Sequence, residues 1–207
     1  MDFDTSKNLS GIGALLMVIG PLAGAAHGLG SVLGLVGIIL LLIGLKGFAD
    51  YYSESGIFNN WLYGIILIIV GAVIAVALFA ITAFALLREA GLDWAGVMNN
   101  PSSFAAYFAD TANLNTILGF VGGLVGALII FFIMFVIAAF LIRKSLSSLS
   151  AKSGVRLFGT AGLLILVGAV LTIVVIGLLI FWIGMILVTA AFFQMRQPST
   201  PPSTATT

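Results

Sequence analysis

The stretch RKSLSSLSAKSGVRLF, residues 143–158, decides how this chain is read. It carries Arg143, Lys144, Lys152 and Arg156 and no acidic residue, and it stands between long apolar runs. Lys and Arg resist translocation across a bilayer, so such a cluster sets the side of the membrane its segment occupies. The stretch therefore reads as the main cytoplasmic loop, a serine-rich turn with basic residues at both ends. Leu146 and Leu149 fall three apart, so the loop is expected to lie along the membrane with its leucines down. Arg143, Lys144, Lys152 and Arg156 then sit at headgroup level, either as ligands for anionic lipids, each contributing about 1 kcal/mol near the surface, or as a signal that only sets orientation during insertion.

The composition around this loop leaves little choice of solvent. Of 207 residues, 61% are hydrophobic and 7% charged, too few charges to coat a soluble domain of this length. In a bilayer the outside must be apolar and the backbone must satisfy itself. The apolar runs are unbroken rather than alternating, which selects helices over a β-barrel. All seven acids lie in residues 1–110, whereas residues 111–207 hold five bases and no acid. This asymmetry carries topology and calls for no nucleic acid. The chain has no cysteine, which excludes disulfides, thiolate metal sites and thiol catalysis.

Working outward from the basic loop, the pattern predicts an all-α transmembrane bundle of about six helices in one domain, residues 1–195. The helices are expected over 10–24, 29–48, 61–87 and 114–142, and over two halves of 157–195 divided near Ile176-Gly177. The turn inside that last run has no polar residue, so it is expected to be tight and partly buried. Gly56 is placed as the C-cap glycine of the second helix. Asp2 and Asp4 beside Lys7 make a poor signal-peptide start, so the first run is read as a span although Ala23-Gly24-Ala25 resembles a cleavage site. Residues 90–113 form an outer loop, in which Asn100-Pro101 opens a short helix with Phe104, Tyr107 and Phe108 on one face. That helix is expected to lie flat on the interface, with a substrate lid as the alternative. Residues 196–207, rich in Pro, Ser and Thr, are expected to be a disordered tail. Six spans place both termini and seven of the eight Lys and Arg in the cytoplasm of a cell-membrane protein, with Arg88 alone outside.

Gly119, Gly122, Gly123 and Gly126 supply two overlapping GxxxG spacings, read as a packing seam within the chain in preference to a dimer contact. Other glycines suggest a repeat. Gly11 and Gly20 bracket a Leu-Leu pair in the first helix as Gly159 and Gly168 do in the fifth. LGLVG at 33–37 resembles LGFVG at 118–122, and Gly71-Ala72-Val73 matches Gly168-Ala169-Val170. Odd helices resemble odd ones, which suggests one hairpin used three times in parallel orientation, unlike the inverted repeats of many transporters. TSKNLSGIGALL at 5–16, LKGFADYY at 45–52, GIFNNWLYG at 56–64 and LFGTAGLLILVGAVLT at 157–172 resemble a family of small archaeal and bacterial membrane proteins, domain of unknown function 996. The resemblance covers nearly all of residues 5–195. It implies a multi-pass membrane fold and brings no catalytic residues.

The sequence offers little chemistry. No Asp or Glu falls within a predicted span, where a proton-coupled carrier needs one. His27 stands at an outer turn; with Asp93 and Asp110 it would make only a loose metal or acid–base site, and an exposed loop histidine is the plainer reading. Lys46, Asp50 and Glu54 form an i, i+4 ladder suited to a solvated helix end. Thr82, Thr160, Thr172 and Thr189 are expected to bond to their own helix backbone. No nucleotide or hydrolase motif is present. The expected protein is a non-enzymatic accessory, scaffold or membrane-organising subunit without cofactor or metal. Its partners are the bilayer, anionic lipids, and a second copy or another membrane protein. A channel or carrier for a small neutral or apolar solute is the alternative, and an enzyme comes third.

Overall fold

In a computed structural model, which describes residues 1–27, 30–110 and 114–197, the chain is helical almost throughout. The elements are α1 (Phe3–His27), α2 (Gly30–Tyr51), α3 (Gly56–Glu89), α4 (Trp94–Asn99), α5 (Pro101–Asp110), α6 (Leu114–Ser153), α7 (Leu157–Val170) and α8 (Ile176–Gln194), with a short 3-10 helix (Leu171–Ile173) after α7. Among the described residues there is no strand. Helices α1, α2, α3, α6 and α8 are long and apolar enough to cross a membrane, while the run Leu157–Ile173 is shorter. Large apolar side chains such as Ile69, Val73, Val76, Leu128 and Ile133 are exposed along α3 and α6. A surface of this kind is stable against lipid and not against water, which makes this a membrane protein.

The described chain packs as two compact units. The first comprises Met1–Ile66 and the chain from Val136 on; the second is Leu67–Phe135. The boundary falls inside α3, of 34 residues, and α6, of 40 residues. At 1.5 Å per residue they run about 51 and 60 Å, far beyond a hydrocarbon core of about 30 Å.

In the first unit, backbones meet at glycines. A methyl group at Gly37 in α2 would stand 2.8 Å from the Gly13 carbonyl oxygen of α1, so neither helix tolerates a side chain there. Gly168 of α7 and Gly177 of α8 make the matching approach in the last hairpin, where a methyl at Gly168 would lie 2.9 Å from the Gly177 oxygen. Buried aromatic rings then draw four helices together. Phe3 (α1) packs edge-on against Phe48 (α2) at 5.5 Å, Phe48 stacks on Phe192 (α8) at 6.0 Å, and Phe158 (α7) meets Phe192 at 4.9 Å.

Several expectations are corrected here. Helix α1 begins at Phe3, because Asp2 accepts the Thr5 N–H at 3.0 Å and Ser6 and Ser10 are buried against Gly47 and Gly44. Gly56 opens α3; the C-terminal turn of α2 is made by Ser53, at φ 50°, which lets the Glu54 N–H reach the Ala49 carbonyl at 2.9 Å. The basic stretch is not a surface loop. Helix α6 continues through Arg143 and Lys144 to Ser153, and the turn is confined to the residues around Gly154, at φ 73°. Leu146 and Leu149 are fully buried in protein, extending the stripe of Ala138, Ala139, Ile142 and Ser145 by helical spacing. The division of residues 157–195 into two helices is as expected, at Val174-Val175, but the turn is exposed rather than partly buried.

The second unit pairs the far half of α3 with the first half of α6 and carries α4 and α5. Phe79 and Phe120 lie 6.3 Å apart, and Glu89 accepts the Thr116 hydroxyl. Asp93 caps α4 by accepting the Gly96 N–H at 2.5 Å. Helix α5 starts at Pro101, with the Ser103 N–H on the Asn100 oxygen at 3.1 Å, as the Asn-Pro pair predicts. The Phe104 and Phe108 side chains, and the tail after Gln197, lie outside the described residues.

Candidate lipid-headgroup site

Phe140, Arg143, Lys144, Ser147 and Ser148 line an open groove of about 250 Å³ on α6. Their spacing, i, i+3, i+4, i+7 and i+8, puts them on one helical face, and the other face holds the buried stripe ending in Leu149. The burial that fixes one face therefore aims the other outward. The stem of Arg143 is held as well: a methyl at Gly162 of α7 would stand 3.3 Å from Arg143 Cα and 3.4 Å from its Cγ. Phe140 and Lys144 are exposed, and Arg143 is half-buried. An apolar ring, two cations and two hydroxyls in one shallow groove match the parts of an anionic headgroup with its first chain carbons.

Of the four basic residues expected to act together, the groove takes Arg143 and Lys144. Lys152 and Arg156 are exposed and do not line it; Arg156 stands at the start of α7 and makes no side-chain cap. The physical reason is the continuation of α6, which carries Lys152 about 12 Å along the axis from Lys144.

Other candidates fare differently. Lys46 and Asp50 form an exposed ion pair of 2.7 Å, the first rung of the expected ladder. They border a cavity of about 380 Å³ with Ser53, Ser55, Phe58 and Asn59. The hydroxyls of Thr82, Thr172 and Thr189 do bond to carbonyls of their own helices. The intramolecular glycine seam is only partly built. Gly123 packs on Thr82, but a methyl at Gly119, Gly122 or Gly126 meets nothing within 4 Å. Gly119 opens instead on a cleft beside α3, and Gly122 and Gly126 meet open space, which the spacing alone does not reveal. The side chains of His27 and Asp110 lie outside the described set, and among the described residues no three His, Asp or Glu side chains converge.

One polar site was not anticipated. In the second unit Thr82, Glu89, Asn115, Thr116 and Gly119 help to line a cleft of about 330 Å³. Its signal was present: Thr82 and Glu89 are seven apart, two turns on one helical face.

A family model described as proteins of unknown function (DUF996) matches residues 33–186. The chain belongs to the DUF996 family. It is also 29% identical, over 195 residues and 94% of each chain, to Uncharacterized protein MJ1644 of Methanocaldococcus jannaschii. No solved structure matches it.

Proposed function

We propose that this DUF996 protein is a non-enzymatic, membrane-organising subunit that holds anionic lipid at its basic end. The observation that carries this reading is the groove of Phe140, Arg143, Lys144, Ser147 and Ser148, where charge, hydroxyls and an exposed ring share one helical face. The same end of the first unit gathers Lys46 and Lys152, which supports a cytoplasmic, multi-pass orientation with both termini inside. Three hairpins, α1/α2, α3/α6 and α7/α8, form the parallel repeat. Support comes from Gly20, Gly71 and Gly168, equivalent in sequence, each of which faces the partner helix of its own hairpin. Residues 33–37 and 118–122 do not support it, since Gly37 meets α1 while Gly122 meets nothing. The test is lipid analysis of the purified protein: phosphatidylglycerol or another anionic lipid should be retained over phosphatidylcholine. Equal retention of both would remove the lipid role.

A second reading, a carrier for a small solute, rests on the cleft between Thr82, Glu89, Asn115 and Thr116. Solute uptake by proteoliposomes that is lost in Glu89→Gln would favour it over the first.

A further inference from the structure

We infer that the α7/α8 hairpin does not cross the membrane but dips into it, its tip meeting lipid acyl chains. The argument is one of height. Arg143 sits against Gly162 of α7, so the two lie at one level. A basic residue on a lipid-facing helix marks the headgroup boundary. From Gly162 the helix rises eight residues to Val170 and then passes through the 3-10 helix Leu171–Ile173. At 1.5 and 2.0 Å per residue the tip stands about 18 Å above Arg143. The hydrocarbon core is about 30 Å thick, leaving a shortfall of about 12 Å that snorkelling of one Arg does not make up.

The chemistry of the tip agrees with that depth. Ile173 is 73% exposed and Val175 76%, with Val174 and Ile176 exposed between and beside them. Four consecutive β-branched apolar residues at the outermost point of a hairpin suit hydrocarbon and not water. The polar groups nearby turn inward on the hairpin. Thr172 donates its hydroxyl to the Gly168 oxygen at 2.9 Å. The Val174 N–H reaches the Leu171 oxygen at 2.8 Å, and Gly177 and Leu178 donate to Val174 and Val175 at 3.2 and 3.0 Å. These bonds satisfy part of the irregular backbone within the hairpin itself, as backbone at membrane depth requires. The height argument shares with the proposed function the placing of Arg143 at the headgroup boundary, but it needs no bound anionic lipid, so equal retention of both lipids would leave the expected depth of the tip unchanged.

The chain has no cysteine, so a single Val175→Cys can be labelled with bimane in detergent and reconstituted into phosphatidylcholine/phosphatidylglycerol vesicles. Ile173→Cys serves as a second position, and Ser102→Cys as a reference outside the hairpin. The expected result is severalfold stronger quenching by acyl-brominated lipid than by aqueous iodide at positions 175 and 173. Iodide quenching matching that at position 102 would place the tip in water and overturn the inference. Quenching by neither agent would mean that protein covers the tip, and would overturn it equally.

Discussion

Ser145, fully buried in α6, donates its hydroxyl to the Ile57 carbonyl oxygen of α3 at 2.5 Å, joining residues 88 apart. The bond ties the first turn of α3 to the part of α6 that carries the basic groove, and a buried hydroxyl so placed specifies the register of the two helices. Ser145→Ala should lower stability by about 1 kcal/mol, whereas Ser147→Ala, on the exposed face, should change little. Thermal melting in one detergent checks both. Equal melting temperatures for the two variants would mean that the bond contributes nothing.

The glycines make an opposite pair of expectations. Gly168→Ala drives a methyl into Phe181 and the Gly177 oxygen, both backbone contacts that cannot yield cheaply, and should cost about 1–3 kcal/mol. The double variant Gly122→Leu, Gly126→Leu meets open space and should hold or slightly raise the melting temperature, since Gly is a poor helix former. A fall in melting temperature, or a change in cross-linked oligomer, would show that a second copy covers this face.

These two cases also show where the sequence was legible. Apolar runs and the scarcity of charge made the helical membrane class plain. The stripe of Ala138, Ile142, Ser145, Leu146 and Leu149 was legible too, yet the charges of Arg143 and Lys144 drew the helix end forward to Ile142. A helix does not stop at the membrane boundary when its next turns can bury leucines against protein. The GxxxG spacing gave a face but not its partner, because identical spacing serves a crossing and a lipid-facing surface. The cleft at Glu89 was missed because Glu89 was read as a helix terminus, and only α6 brings Thr116 to it.

Tyr52 offers a test of the aromatic end. Its hydroxyl is buried with no hydrogen-bond partner, and burial, with Tyr51 beside it, raises its pKa above the ordinary phenol value of 10.0. Folding then favours the neutral phenol. Stability from this group is fully present below pH 10.0 and is lost as pH rises toward the raised folded value. Tyr52→Phe should keep or raise stability at neutral pH, because no hydrogen bond is broken. It should also flatten the alkaline fall in melting temperature, and an unchanged alkaline profile would count against a buried phenol.

Orientation is tested separately. If Lys7, Lys46, Arg143, Lys144, Lys152, Arg156 and Arg196 lie on the cytoplasmic side, as proposed, a cysteine at Ser147 should resist an impermeant thiol reagent in intact cells. One at Ser102, on α5, should label. The reverse pattern would invert the protein.

The last prediction separates lipid binding from topology. Arg143 and Lys144 line the groove with Phe140, while Lys152 and Arg156 stand exposed beyond it. If the cluster only oriented the chain during insertion, either pair would serve, and no lipid would remain afterwards. If the groove holds a headgroup, charge at Arg143 and Lys144 matters and charge at Lys152 and Arg156 matters less. Two cations contribute about 2 kcal/mol at low salt, near thirtyfold in affinity, falling as counterions screen them. Arg143→Gln with Lys144→Gln should therefore deplete co-purified anionic lipid strongly, with Lys152 and Arg156 left to hold the orientation. Lys152→Gln with Arg156→Gln should deplete it weakly, since those residues act only through the surface field. Keeping Phe140 while neutralising the charges, and the converse Phe140→Ala, tells headgroup from chain contact: the first should lose anionic selectivity, the second affinity for every lipid alike. Equal retention in both charge variants would reduce the stretch to an insertion signal.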